Sequence, residues 1–313
     1  MITRSGARKR ILAGTPVSER VLDIDGIPTS LLEAGRGPVV ILLHGGIECG
    51  GAYWSPVIPR LAERFRIVAP DVPGLGESVP FEKFGTERFA DWLEELIRAT
   101  NADQPVVVAH SLLGSFAAQF AVDHSDLLGR LVIYGAPGVG PYRAPLRLMY
   151  VAMRLSFRPT PKNDERFARF ALLDFDATRA RDIDWFDAFS TYSLERAVVP
   201  HVKRTMKSLI SLGMKRIPDD ELRRISTPVD LLWGEGDRMV PRSVGQAASH
   251  RMGWPMTTIA NSGHAPHIEE PEQFVSALIT LAERNPSVSA RTNRTDAIRD
   301  VNSSDVTLIG ARS

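Results

Sequence analysis

Three polar residues that could act together each follow a predicted buried strand. Ser111 follows "VVVAH", Asp237 follows "VDLLWGEG" and His264 follows "MTTIANSG". Parallel strands end on the same edge of a sheet, so these side chains can converge although they are far apart in the sequence. A serine, a histidine and a carboxylate at one sheet edge predict nucleophilic catalysis.

The residue types determine the predicted roles. A serine hydroxyl is a poor nucleophile at neutral pH, so an imidazole must take its proton during attack and return it to the leaving group. A carboxylate behind the imidazole fixes its tautomer and stabilises the imidazolium. We therefore predict Ser111 as the nucleophile, His264 as the base and Asp237 as the supporting acid.

The oxyanion of such a reaction needs backbone N–H donors, and losing one donor typically costs about 100- to 1,000-fold in rate. The segment "HGG", residues 44–46, follows the strand "PVVILL" and is placed to supply one donor. The amide of Leu112, directly after the nucleophile, supplies the other.

The sequence around Ser111 departs from the usual G-x-S-x-G pattern of a strained strand-to-helix turn. Ala109 and Leu113 stand at the two glycine positions, and a glycine occurs only at Gly114. Ala109 is a mild change, whereas the side chain of Leu113 must fit where glycine is usual. Ser115 is a weaker candidate nucleophile because it falls inside the predicted helix.

Two of the assignments have competitors in the sequence. Glu235 could replace Asp237 as the acid, and His267 could replace His264 as the base. The positions of Asp237 and His264 within their turns favour them. For two other histidines near the site, we predict structural hydrogen bonds: His44 and His110.

Composition limits the classes of function. The 313 residues are 43% hydrophobic with a formal net charge of +1, which indicates a globular protein without a field for nucleic acid or anionic membranes. Cys49 is the only cysteine, which excludes an intramolecular disulfide and a thiolate zinc site; we expect it to be a packing residue. The basic N-terminus has only the short apolar piece "ILAG", so we expect no signal peptide and a cytoplasmic location.

Strand patterns alternate with helical patterns, as in a mostly parallel sheet with helices on both faces. Only helical patterns occur between Pro141 and about Lys215, which predicts an all-helical cap over the strand ends. The predicted domain division is an N-terminal extension (1–16), an α/β core (17–140 and 216–284), a helical cap (141–215) and a mobile tail (285–313).

Five segments in order, "LLHGGIECGGAYW", "VAPDVPGLGES", "AHSLLG", "LLWGEGDRMVP" and "SGHAPHIEEPEQF", resemble the α/β-hydrolase superfamily in its capped branch. The resemblance covers about residues 17–284. It implies an eight-stranded, mostly parallel sheet with a cap after the sixth strand, and no metal or organic cofactor. It also implies Ser111, Asp237 and His264 as a triad with the amides of Gly46 and Leu112 as the oxyanion hole. Two further matches, usually structural in this family, are Asp71 and Gly74.

The identity of the predicted nucleophile limits the classes of reaction that the protein can catalyse. Relatives that are epoxide hydrolases or haloalkane dehalogenases use an aspartate at this turn, so a serine at position 111 disfavours both activities. We expect a serine esterase that cleaves a small or medium carboxylic ester through an acyl-enzyme. A carbon–carbon bond hydrolase with the same triad is the alternative, and a weakly catalytic ligand-binding protein, suggested only by Leu113, is a third reading.

The cap sequence suggests further roles. Its cations, as in "RLSFRPTPK" and "HVKRTMKS", are expected on solvated helix faces, although one or two could select a substrate bearing a carboxylate. Its apolar segments "LMYVAMRLSF" and "DWFDAFSTY" are expected to pack against the core, or to line a substrate pocket. We expect a small-molecule ester as the partner, and neither nucleic acid nor a membrane. We expect the protein to be a monomer or a homodimer.

Overall fold

A computed structural model of the chain describes residues 5–284. The expectation of a mobile tail at 285–313 falls outside the described residues. The strands are β1 (Ser18–Ile24), β2 (Ile27–Ala34), β3 (Val39–Leu43), β4 (Arg66–Pro70), β5 (Val106–His110), β6 (Arg130–Tyr134), β7 (Val229–Gly234) and β8 (Met256–Ile259).

The helices alternate with these strands. They are α1 (Gly6–Ile11), α2 (Ile58–Leu61), α3 (Thr86–Ala99), α4 (Ser111–Asp123), α5 (Leu146–Phe157), α6 (Pro161–Ala171), α7 (Phe175–Arg181), α8 (Ile183–Ala197), α9 (Pro200–Gly213), α10 (Asp219–Leu222), α11 (Arg242–Met252), α12 (Pro266–Glu269) and α13 (Pro271–Glu283).

All eight strands form one sheet in the order β1-β2-β4-β3-β5-β6-β7-β8. The β1–β2 hairpin and the β2–β4 pair are antiparallel, and every other pair is parallel. The hairpin turns at Asp25 and Gly26, whose φ angles of 52° and 74° fit the backbone twist of a tight hairpin. The predicted eight-stranded, mostly parallel sheet is confirmed.

The central strands are buried on both faces. Every residue of β5, β6 and β7 is buried, because helices cover the sheet on each side. In β5, Val107 and Ala109 belong to one apolar core, and Val106 and Val108 to the core on the opposite face. The continuous apolar runs of the sequence reflect this double burial.

Helices α5–α9 lie between β6 and β7, the sixth and seventh strands in sequence, and form an all-helical insertion. The N-terminal segment is part of the same assembly, because α1 packs against α8 of this insertion. Arg8 of α1 is fully buried there. Within residues 5–284, no helix has the length and apolar character needed to cross a membrane.

Candidate active site

Ser111 occupies a strained turn between β5 and α4. The strand ends at His110, the helix begins at Ser111, and the serine has a φ of 54°. A residue other than glycine in this left-handed region typically costs about 1–3 kcal/mol. The serine side chain therefore lies at the strand end, next to the first turn of α4, as predicted for a nucleophile.

The structure brings Ser111, His264 and Asp237 together. Nε2 of His264 lies 3.0 Å from Oγ of Ser111, and Nδ1 of His264 lies 2.8 Å from Oδ2 of Asp237. The other carboxylate oxygen of Asp237 accepts the N–H groups of Met239 and Val240 at 2.8 and 2.9 Å. All three side chains are buried, so the carboxylate and imidazole are held in a fixed orientation.

The competing assignments lie elsewhere. Glu235 is exposed. His267 bonds through Nδ1 with the hydroxyl of Tyr134 at 2.9 Å. Oγ of Ser115 accepts the N–H of Gly138 at 2.9 Å, so this serine bridges α4 to the segment after β6. None of these three residues contacts the Ser111 hydroxyl through a hydrogen bond in the described chain.

Buried histidines support the His264 loop. Nε2 of His110 donates to the backbone oxygen of His264 at 2.9 Å, and the His110 ring stacks on Tyr134 with 4.1 Å between ring centres. His44 bonds through Nδ1 with the Gly45 oxygen at 2.7 Å and accepts the N–H of Val72 at 3.2 Å. Both rings therefore make the structural hydrogen bonds expected of them.

Burial also keeps these rings neutral. Burial lowers the pKa of His44 to about 4, with a smaller contribution from the charge of Arg8. For His110, burial lowers the pKa well below the ordinary value, and the neighbouring His264 ring acts in the same direction. Burial and then His264 lower the pKa of His267 to about 3. These rings stay uncharged at neutral pH and so add no positive charge beside His264.

Glu269 holds the His264 loop and was not identified from the sequence. Its carboxylate accepts the N–H of Gly263 at 2.7 Å and the N–H of Leu173, in the helical insertion, at 2.5 Å. Burial raises the pKa of Glu269, although these N–H groups oppose the shift. The N–H of His264 also donates to the oxygen of Ala171 at 2.9 Å. An acid within "HIEEPEQF", between the histidine and a helix, is the signal that could have indicated this role.

Leu113 fits because the close packing falls one residue later. Its side chain is fully buried in the core, whereas a Cβ atom at Gly114 would lie 2.8 Å from Cβ of Ala136 and 3.0 Å from the oxygen of Ala109. A Cβ contact of 2.8 Å requires one of the two groups to move. The residue that must be small behind the nucleophile is therefore Gly114.

The two segments predicted to donate to an oxyanion lie side by side. A Cβ atom at Gly46 would meet Cδ1 of Leu112 at 2.5 Å, and one at Gly45 would meet Nδ1 of His110 at 2.7 Å. Leu112 is the second residue of α4, and the first N–H groups of a helix have no acceptor within it. Absent side chains at positions 45 and 46 thus let the β3 loop approach the start of α4.

One expectation for the insertion is wrong for most of α5. Five of its large apolar side chains are exposed rather than packed against the core, whereas Val151 is buried; the exposed ones are Leu146, Met149, Tyr150, Met153 and Phe157. In α8, Phe186 and Tyr192 are buried as expected. The cations of the two basic segments lie at the surface, including Arg154, Arg158, Lys203, Arg204 and Lys207.

The remaining candidates are structural. Cys49 is fully buried, and burial raises the pKa of its thiol well above the ordinary value, as suits a packing residue. Across residues 5–284, no group of three or more His, Cys, Asp or Glu side chains is arranged to hold a metal ion.

Comparison with known families shows the family of this chain. The model of the alpha/beta hydrolase family matches residues 40–277, which is most of the chain. The chain belongs to the alpha/beta hydrolase family. The matched range includes Ser111, Asp237 and His264, as well as the whole helical insertion.

Relatives of this alpha/beta hydrolase include two kinds of enzyme. The chain is 28% identical over 283 residues to the 2-hydroxy-6-oxo-6-(2'-aminophenyl)hexa-2,4-dienoic acid hydrolase of Metapseudomonas resinovorans, covering 87% of this chain and 93% of that protein. It is also 28% identical over 258 residues to a pimeloyl-[acyl-carrier protein] methyl ester esterase of Vibrio vulnificus, covering 79% and 95%.

Solved structures share the fold. The 2-hydroxy-6-oxo-6-phenylhexa-2,4-dienoate hydrolase of Rhodococcus superposes with a TM-score of 0.75 at 21% identity, covering 84% of this alpha/beta hydrolase and 98% of that chain. An esterase of Thermogutta terrifontis gives a TM-score of 0.68 at 21% identity, covering 84% and 97%.

Proposed function

We propose that this alpha/beta hydrolase cleaves a small or medium carboxylic ester through an acyl-enzyme on Ser111. The observation that carries the proposal is the continuous chain from Ser111 through His264 to Asp237, with contacts of 3.0 and 2.8 Å. The positive φ of Ser111 supports it, since strain of this kind concentrates at functional turns.

In the proposed acylation step, Oγ of Ser111 attacks the ester carbonyl carbon while Nε2 of His264 takes its proton. The amides of Gly46 and Leu112 donate to the oxyanion of the tetrahedral intermediate. His264 then gives the proton to the leaving alcohol, which leaves the acyl group on Ser111. Asp237 stabilises the transient imidazolium.

Deacylation repeats the same steps with water as the nucleophile in place of the serine hydroxyl. His264 takes a proton from the water as its oxygen attacks the acyl carbon, and returns the proton to Oγ of Ser111 as the acid leaves. The same two amides stabilise the second oxyanion. The residues of the chain account for both steps, and the scheme uses no metal or organic cofactor.

We also propose that residues 141–215 act as a cap over this site, joined to a core of residues 17–140 and 216–284. Two contacts support this role: the Ala171 oxygen accepts the N–H of His264, and the N–H of Leu173 donates to Glu269. Both contacts join the insertion to the loop that carries the proposed base.

Carbon–carbon bond cleavage is the second candidate, favoured by the likeness to the dienoic acid hydrolase. A dienoate carries a carboxylate, whereas the loop after β3 contributes an acid that interacts with Asp164 of the insertion. Glu48, two residues after Gly46, is partly buried, and its pKa is raised to about 7 by burial and by the charge of Asp164 in α6. The ionised form of Glu48 repels a substrate carboxylate, and this repulsion favours a neutral ester.

A panel of activated esters with increasing acyl length, assayed in parallel with a dienoate, tests the proposal. We expect ester turnover with an initial burst, and a loss of at least about a thousandfold in Ser111→Ala. Ser211→Ala, an exposed serine of α9, is the matched control and should behave as wild type. Turnover of the dienoate alone would favour the second candidate, and unchanged ester turnover in Ser111→Ala would refute the mechanism.

A further inference from the structure

Helix α5 presents a stripe of large apolar side chains to solvent. The α5 stripe consists of Leu146, Met149, Tyr150, Met153 and Phe157, which are 82%, 54%, 52%, 53% and 80% exposed. Their spacing of three or four residues places them on one face of the helix. Val151, on another face, is the only buried residue of α5. Contiguous exposed apolar surface of this kind marks an interaction site.

The charged residues in the segment around the stripe are all positive. Residues 141–161 contain four arginines and no aspartate or glutamate. Arg147 and Arg154 stand seven residues apart, along one edge of the stripe. Their guanidinium groups lie 5.8 Å from the ring centres of Phe170 and Tyr150, respectively.

These arginines also lack acidic partners. Within residues 5–284, no carboxylate forms an ion pair with any arginine of the segment: Arg143, Arg147, Arg154 and Arg158. Other exposed arginines of the insertion are paired, for example Arg169 with Asp176 at 2.7 Å and Arg179 with Asp187 at 2.8 Å. The positive charge beside the α5 stripe is therefore uncompensated.

We propose that the α5 stripe docks the enzyme on an anionic membrane surface. A helix with an apolar face and arginines along its edge lies in the plane of the interface, with its apolar side chains among the acyl chains. The long arginine side chains reach back to lipid phosphates while their methylene groups stay in the apolar layer. The proposal goes beyond the hydrolytic reaction and does not depend on it.

Charge argues against a second copy of the chain as the occupant. In a twofold contact the same patch of both copies meets, so two sets of unpaired arginines would face each other. Like charges held together in an interface are unfavourable. An anionic lipid surface instead supplies many negative charges beside an apolar layer. It therefore matches both the apolar side chains of the α5 stripe and the arginines beside them.

The position of α5 also relates the docking surface to the proposed active site. Tyr142, four residues before the helix begins, donates its hydroxyl to the oxygen of Met239 at 2.9 Å. Met239 in turn donates its N–H to Asp237. The segment leading to the docked helix therefore contacts the loop of the proposed acid.

Membrane docking is contrary to what the net charge of +1 for the whole chain predicts. A balanced total hides a local excess, because the acids that offset these arginines lie elsewhere in the sequence. Binding to a charged surface depends on the local field rather than on the net charge.

Vesicle flotation tests the proposal without a substrate. Purified full-length protein is mixed with neutral phosphatidylcholine vesicles, or with vesicles that contain about 30% phosphatidylglycerol, at about 0.1 M salt. We expect flotation with the anionic vesicles only, and weaker binding as salt rises. Each arginine removed should weaken binding roughly fivefold, so Arg147→Gln/Arg154→Gln should lose about 25-fold.

Matched variants separate the stripe from general surface effects. Met153→Ser/Phe157→Ser should lose vesicle binding, whereas Ile183→Ser/Val198→Ser, which changes two other exposed apolar residues, should keep it. Arg10→Gln/Arg223→Gln removes two exposed arginines away from α5 and should bind as wild type. Turnover of a short, soluble ester should be the same in all four variants.

Several results would overturn the inference. They are absence of flotation with either vesicle, equal flotation with both, and equal loss in the control variants. A concentration-dependent dimer abolished by Met153→Ser/Phe157→Ser, without vesicle binding, would assign the stripe to a second copy. Binding to an acidic protein but not to vesicles would assign it to a protein partner.

Discussion

Single residues determine whether the turn at Ser111 can form. Leu113 is buried in the core, and the close approach to Ala136 and Ala109 occurs at Gly114. A helix rotates by about 100° per residue, so a shift of one position points a side chain to a different neighbour. The sequence located the departure from the usual pattern but not the direction of the Leu113 side chain.

A smaller residue at position 113 and a larger residue at position 114 should each lower the stability of the protein. Leu113→Ala removes a buried side chain, and we expect it to lower the free energy of unfolding by about 2–5 kcal/mol. Gly114→Ala forces the backbone at Ala109 or the side chain of Ala136 to move, at about 1–3 kcal/mol, and should also lower kcat by displacing Ser111. Chemical denaturation and ester assays measure both effects. Wild-type stability in Gly114→Ala would contradict this account of the turn.

The identity of the acid can be tested directly. Asp237→Asn keeps the shape but removes the charge that orients His264, so we expect kcat to fall by up to about 10,000-fold with little change in stability. Glu235→Gln is the matched control because Glu235 is exposed nearby, and it should retain wild-type kcat. If Glu235→Gln loses more activity than Asp237→Asn, Glu235 is the acid.

At the scale of elements, α1 connects the core to the helical insertion through Arg8. The guanidinium forms ion pairs with Asp71 at 3.2 Å and with Glu19 at 3.3 Å. It also donates hydrogen bonds to the hydroxyl of Tyr192 in α8 at 3.4 Å and to the backbone oxygen of Cys49 at 3.5 Å. Burial alone would lower the pKa of Arg8, but these acidic partners raise it above the ordinary value. The N-terminal extension is therefore an integral part of the fold.

Removing this guanidinium should be strongly destabilising. Arg8→Met leaves the buried carboxylate of Asp71 without its counter-charge, which typically costs about 3–5 kcal/mol. Asp71 also accepts the N–H groups of Gly51 and Glu77, so the loop after β3 should loosen as well. Arg10→Met, on the exposed side of α1, is the control and should change stability by less than about 0.5 kcal/mol. Equal stability of the two variants would show that Arg8 does not hold α1.

The sequence predicted the elements better than their contacts. Apolar runs such as "VVVAH" identify doubly buried strands, and the helical patterns after Gly140 identify the insertion, because burial and periodicity are local signals. The contact between Arg8 and Tyr192 joins residues 184 positions apart. The exposed apolar face of α5 has the same periodicity as a packed face, so periodicity alone could not distinguish the two.

At the scale of the whole molecule, buried neutral histidines make stability depend on pH. The pKa values of His44 and His267 are lowered to about 4 and about 3, chiefly by burial. As pH falls below about 6.5, the unfolded chain binds protons that the folded protein cannot, so stability is lost towards pH 4. Each such histidine contributes a slope of about 1.4 kcal/mol per pH unit.

Denaturation curves between pH 7 and pH 4 test this dependence. We expect His267→Gln to lose stability less steeply with acid than wild type, by about the slope of one histidine. His250→Gln, which changes an exposed histidine of α11, should follow the wild-type slope. Parallel curves for wild type and His267→Gln would show that His267 does not contribute to acid unfolding.

The proposed reaction passes through a covalent bond to Ser111, and mass spectrometry of the protein quenched during turnover of an activated ester measures that bond most directly. We predict that the protein gains the mass of one acyl group, that the adduct maps to the peptide containing Ser111, and that Ser111→Ala gains none. An adduct on another residue, or ester turnover in Ser111→Ala equal to wild type, would contradict the account.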